Sequence, residues 1–135
     1  MDGQLRVMVI DDEAIVGKRL LLALAQSGYA VETFVDPRLA LARLNEQEFD
    51  IVVTDVRMKD VDGMQVLEEV SRRSPRTKVI LITAYATIEV AREAMAKGVF
   101  DFLAKPFKVS EMLETLARAA ASLAAPGAGT PASAS

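Results

Sequence analysis

The sequence predicts a doubly wound α/β domain built on one parallel sheet. Five short apolar segments recur along it, and helical stretches separate them and follow the last. Valine and isoleucine dominate three of the segments, as in strands covered on both faces. The first segment ends oddly: in RVMVIDDEA, Arg6 to Ala14, four apolar residues run straight into two adjacent acids, Asp11 and Asp12.

In chain order the expected strands are Leu5–Ile10, Ala30–Phe34, Phe49–Thr54, Thr77–Thr83 and Val99–Ala104. Ala30–Phe34 (AVETF) mixes polar with apolar residues and is expected at a sheet edge. Gly28 closes the first helical stretch and Gly98 the fourth, both suited to a left-handed C-terminal turn. Asp36–Pro37 opens the second as an N-cap followed by proline in the first turn. Either Asp11 or Asp12 can help to cap the first helix, and Ser110 can cap the last, which should run to about Leu123. The expected domain covers 1–124; 125–135 is rich in Ala, Pro, Gly and Ser and is expected to be a flexible tail or cut linker.

The chain has 135 residues, enough for one domain with a sizeable core. Its net charge of −3 offers no electrostatic reason to bind nucleic acid or an anionic membrane. With neither cysteine nor histidine, it excludes disulfides, thiolate or imidazole metal sites, and serine–histidine catalysis on this chain. The start, MDGQL, has no signal-peptide pattern, and the longest apolar run, Leu20–Ala25, is too short to span a bilayer. A cytoplasmic location is the expectation.

In open parallel sheets the binding crevice lies beyond the carboxyl ends of the strands. Four segments end there in reactive side chains: Asp11 and Asp12, Asp55, Thr83 and Lys105. Taken singly, each has an ordinary explanation as a helix cap, a strand-end hydroxyl or a surface charge. Together they place three carboxylates on one rim, where each pair at about 4 Å repels by roughly 4 kcal/mol at an effective dielectric of about 20. Lys105 alone cannot neutralise three acids, whereas a divalent cation can. An all-oxygen site suits magnesium, manganese or calcium.

Four motifs in this order and spacing resemble the receiver domains of bacterial two-component response regulators: VIDDE (Val9–Glu13), VTDVRMKDVDGM (Val53–Met64), LITAYA (Leu81–Ala86) and DFLAKPF (Asp101–Phe107). The resemblance covers about Leu5 to Leu123. It implies a flavodoxin-like, CheY-like fold: five parallel strands in the order 2-1-3-4-5 with helices on both faces. It also implies that Asp55 is the phosphoacceptor, and that Asp11, Asp12 and Asp55 hold magnesium, or manganese in its place, with the backbone carbonyl of Arg57. Lys105 then pairs with Asp55 and later with the phosphoryl oxygens, Thr83 turns its hydroxyl toward them, and Phe102 repacks as Thr83 moves. A cis bond between Lys105 and Pro106 would turn the lysine inward. The implied partners are a sensor histidine kinase, a phosphotransfer protein or small acyl phosphates, and the implied chemistry is limited to the domain's own phosphorylation and dephosphorylation.

The run from Thr83 to Phe107 is similar to receivers of enhancer-binding transcriptional activators, so an output domain or a separate partner is implied. The face around the last strand and its flanking helices should change on phosphorylation and can dimerise, with Ile88, Val90 and Met95 as candidate interface residues. Lys59 stands where the family usually has proline, which frees the loop and adds a cation. Arg57 and Tyr85 occupy positions that influence attack of water on the acyl phosphate; both are bulky, which predicts slow self-dephosphorylation. Three other classes compete. A haloacid-dehalogenase-type phosphatase would need D-x-D-x-T after the first strand, where this chain has DDEAI. A flavin or nucleotide binder would need a Gly-rich phosphate loop, and none follows a strand here. A receiver-like dimerisation module independent of phosphorylation fits poorly with a complete acid set.

Overall fold

A computed structural model describes residues 4–124. The elements alternate strictly: β1 (Arg6–Ile10), α1 (Ala14–Gln26), β2 (Ala30–Phe34), α2 (Pro37–Glu46), β3 (Ile51–Asp55), α3 (Gly63–Arg73), β4 (Lys78–Thr83), α4 (Ile88–Ala96), β5 (Asp101–Ala104) and α5 (Val109–Ala124). All strand pairs are parallel, in the order β2-β1-β3-β4-β5, which is the expected topology. β2 lies at an edge, as its mixed composition predicts. The tail at 125–135 falls outside the described residues.

The alternation of side chains along each strand divides the core in two. Met8, Ile10, Val52 and Leu81 pack on one face with residues of α2, α3 and α4. Val7, Val9, Val53, Ile80 and Ile82 pack on the other with Leu20 and Leu24 of α1 and Met112 and Leu116 of α5. Burial of each such side chain contributes roughly 1.5–3 kcal/mol, and the central strands are apolar on both faces because both are covered. Among the described residues no helix is long and apolar enough to cross a membrane.

Local chemistry sets most helix ends. Gly28 and Gly98 follow α1 and α4 at φ +97° and +87°, a backbone region that glycine enters without steric cost. The Asp36 side chain accepts from the Arg38 N–H at 2.9 Å, with Pro37 in the first turn. Asp62 and Gln65 form a reciprocal capping box at the start of α3, each side chain accepting from the other's backbone N–H at 3.0 and 2.9 Å. Asp11, rather than the residue next to the helix, satisfies the entry to α1: its Oδ1 accepts from the Glu13 N–H at 2.8 Å.

Two expectations need correction. Ser110 does not cap α5, which begins one residue earlier; Glu111 reaches back to accept from the Lys108 N–H at 2.7 Å, and Ser110 lies in the first turn. Four strands also start later than their apolar runs, because buried apolar residues need not be in a ladder. Phe49 is fully buried ahead of β3, where its carbonyl accepts from the Thr77 hydroxyl at 2.6 Å.

Candidate functional site

Parallel pairing carries the carboxyl ends of four strands to one rim. Ile10 is opposite Thr54, Asp55 opposite Ile82, and Thr83 opposite Ala104, so the residues that follow stand side by side. The ladder continues past the strands, with Asp11 N–H donating to the Phe34 carbonyl at 3.0 Å and Lys105 N–H to the Thr83 carbonyl at 2.8 Å. Carboxylate oxygens of Asp11, Asp12 and Asp55, one from each, lie within 4.8 Å of one another. Asp11 and Asp55 are buried and Asp12 is exposed. Of the residues expected at one rim, Asp11, Asp12 and Asp55 are brought together there.

Lys105 lies among them. Its Nζ is 2.9 Å from Asp11 Oδ2, 3.1 Å from Asp55 Oδ2 and 2.9 Å from Glu13 Oε1. Burial opposes the ammonium charge, but the close contacts with the Asp11, Glu13 and Asp55 carboxylates outweigh it and hold the lysine pKa above its ordinary range. Burial pushes the Asp11 carboxyl up from its usual 3.8; the Lys105 contact and the Glu13 N–H pull the other way, and the Asp55 charge adds to the rise. The Asp11 Oδ2 contact with Lys105 is an ion pair without hydrogen-bond alignment, so this buried oxygen has no well-directed donor. A donor set of closely spaced carboxylate oxygens, one of them in that condition, fits a hard divalent cation.

Thr83 is fully buried at the end of β4. Its parity on the strand is that of Leu81, on the opposite face from Asp55, and its Oγ1 accepts from the Tyr85 N–H at 2.9 Å. Phe102, opposite Leu81, is partly buried and packs against that same core cluster. Lys105–Pro106 is a cis peptide bond. The Arg57 N–H is directed at Asp55 Oδ1 over 3.4 Å, which keeps the backbone of Arg57 beside the acids.

Three features were not legible in the sequence. Glu13 joins the Lys105 contacts across 92 residues of chain, a pairing no local pattern announces. The loop after β3 contains a three-residue turn, closed by Val61 N–H to the Lys59 carbonyl at 2.7 Å, with Asp60 between them at φ +69°. The Arg57 guanidinium stacks on the Tyr85 ring with Cζ 4.6 Å from its centroid. A cleft of about 420 Å³ opens beside the acids, lined by Glu13, Ile15, Arg19, Lys105 and Phe107 among others. A cavity of about 260 Å³, lined by Leu44, Glu48, Phe49 and Ser74 among others, lies near the start of β3, away from the acids.

The arrangement is matched in known proteins. A family model described as the response regulator receiver domain matches residues 7–117. The chain is 38% identical over 107 residues to the regulatory protein AtoC of Escherichia coli (strain K12), covering 79% of this chain and 23% of that protein. It is 34% identical over 113 residues to the DNA-binding transcriptional regulator NtrC of Salmonella typhimurium, covering 84% of this chain and 24% of that protein. It therefore spans about a quarter of the length of these curated relatives. Among solved structures, the beryllofluoride-activated NtrC4 receiver domain dimer superposes with a TM-score of 0.83 at 34% identity, covering 88% of this chain and 98% of that one.

Proposed function

The chain belongs to the response regulator receiver domain family, and from that membership we propose that it accepts a phosphoryl group on Asp55 and thereby alters its α4–β5–α5 face. It is a receiver of the two-component response regulators, a signalling module. One observation carries the assignment of roles: oxygens of three carboxylates lie within 4.8 Å of one another at the carboxyl ends of β1 and β3, and the Lys105 ammonium, from the end of β5, is 2.9 and 3.1 Å from two of them.

Asp55 supplies the nucleophile. One of its carboxylate oxygens bonds to phosphorus as the bond from phosphorus to the donor's imidazole nitrogen breaks, and that electron pair leaves with the imidazole. These 135 residues include no histidine, so the donor is a sensor histidine kinase, a phosphotransfer protein or, chemically, a small acyl phosphate. Asp11, Asp12, Asp55 and the Arg57 carbonyl would hold magnesium, or manganese, which when bound neutralises charge on the phosphoryl oxygens. Lys105 moves its hydrogen bond from the Asp55 carboxylate to a phosphoryl oxygen. Thr83 then exchanges the Tyr85 N–H for the phosphoryl group, and Phe102 follows it.

The cleft of about 420 Å³, together with exposed Ile15 and Leu22 on α1, offers the donor protein an apolar surface beside the acids. On the output side, Ile88 and Met95 are 69% and 71% exposed at a seven-residue spacing on α4, whereas Val90 packs into the core. Ile88 and Met95 are thus the interface residues for a homodimer or a partner, and Val90 is not. By analogy with its relatives, the domain acts in the cytoplasm and controls an output domain or partner protein.

The test is incubation with acetyl phosphate, with and without magnesium, followed promptly by intact mass measurement. One phosphoryl adduct should form, requiring both magnesium and Asp55, and Asp55→Asn should form none. An adduct that persists in Asp55→Asn would overturn the assignment. The adduct should last minutes or longer, since Arg57 and Tyr85 crowd the approach of water; decay within seconds would reject slow self-dephosphorylation.

A further inference from the structure

Two exposed side chains meet between the loops that follow β3 and β4. Arg57 comes from the loop after β3 and Tyr85 from the loop after β4, and they stack with 4.6 Å between Cζ and ring centroid. Tyr85 is 56% exposed, so the ring is not held by core packing. Among the described residues Arg57 enters no ion pair, which leaves the ring as its principal anchor.

The backbones behind this pair lead to both sides of the phosphorylation chemistry. Arg57 follows the acceptor by two residues and directs its N–H at Asp55 Oδ1. Tyr85 follows Thr83 by two residues and gives its N–H to Thr83 Oγ1 at 2.9 Å, while its carbonyl accepts from Thr87 N–H at 2.9 Å. Thr87 in turn caps α4, its Oγ1 accepting from Val90 N–H at 3.2 Å. Any turn of the Thr83 hydroxyl toward Asp55 must release the Tyr85 N–H, the first link of the segment that leads into α4. The stack holds that N–H where Thr83 can keep it.

We infer that Arg57 and Tyr85 form a clasp: their cation–π contact ties the two loops together and holds Thr83 bonded to Tyr85 until the acid cleft is filled. This rests on Asp55 being the phosphoacceptor. In this switching role the pair are positioning residues that act through the loops, separately from their crowding of water at the phosphoryl group. Opening the clasp accompanies phosphorylation, so the contact sets how readily the domain switches, and the other face of the lever is the N-terminus of α4.

The experiment is a double-mutant cycle on the whole chain with Arg57→Ala, Tyr85→Ala and both together, plus Tyr85→Phe as the conservative control. Two readouts are taken: affinity for beryllofluoride with magnesium by fluorine NMR, and amide hydrogen exchange at Tyr85 without ligand. Each alanine variant should bind beryllofluoride about two- to fivefold more tightly, the ratio that an exposed cation–π pair supports. Each should also speed Tyr85 exchange by a similar factor. The double variant should go no further than either single, and Tyr85→Phe, which keeps the ring, should match wild type. Multiplying effects in the double variant, or weaker binding in either single, would overturn the clasp. If wild type took up no beryllofluoride, the assignment of Asp55 would fail instead, and the exchange data would still judge the clasp.

Discussion

Asp11 carries the electrostatic cost of the cleft. Its carboxyl is buried, near Asp55, and partly compensated by Lys105, and burial leaves its pKa raised. A raised acid binds more protons in the folded than in the unfolded state over the pH range above its ordinary 3.8. Stability therefore declines as pH climbs from that value through the raised one, and the loss persists at neutral pH. Asp11→Asn removes the charge and that loss. In EDTA at pH 7 the variant should melt a few degrees higher than wild type, where about 1 kcal/mol corresponds to roughly 3–5 °C for a domain of this size. The advantage should vanish near pH 3.5, where both side chains are neutral. A lower melting temperature at pH 7 would show that the Lys105 ion pair outweighs burial and repulsion.

At the scale of elements, the junction of β3 with α3 tolerates least change. Gly63 opens α3 against the backbone of the strand's end: an added Cβ would overlap the Asp55 carbonyl oxygen and lie 2.8 Å from Val56 Cα. Its N–H also donates to the Val56 carbonyl at 2.8 Å. Backbone cannot rotate away as a flexible side chain can, so Gly63→Ala must move either the helix or the end of β3 that carries Asp55. A loss of about 3 kcal/mol or more is expected in urea unfolding, with slower phosphorylation in whatever remains folded. Gly28 differs: an added Cβ there would meet nothing within 4 Å, and its φ of +97° is what excludes other residues. Replacement there should cost only about 1 kcal/mol, so the contrast between the two glycines separates close approach from backbone conformation.

For the whole molecule, the two-sided core is the rigid base and the rim of acids is the point of coupling. A divalent cation held by these acids would bind only where β1 and β3 are paired, so it should stabilise the entire fold by mass action. Magnesium at ten times its dissociation constant should add about 1.4 kcal/mol, several degrees in melting temperature, and Asp12→Ala should abolish the rise. Asp12 is the choice for this control because it is exposed and its loss leaves no hole. An identical rise in the variant would show that the ion acts elsewhere.

Much of this protein is local and therefore legible in the sequence. Valine- and isoleucine-rich runs report burial on both sides, glycines and Asp36–Pro37 mark helix ends, and the fixed geometry of parallel strands puts Asp11, Asp12, Asp55, Thr83 and Lys105 on one rim before any coordinate is known. Ser110 misleads because α5 has already begun at Val109, so Ser110 stands inside the first turn and not ahead of it. The tertiary structure alone decided which distant side chains touch. Glu13 meets Lys105 across 92 residues, and Arg57 meets Tyr85 from a different loop. Such contacts depend on rotamers and loop paths that no short-range pattern encodes. Periodicity in the chain determines which element forms and which way it faces; only packing determines which side chains meet at its end.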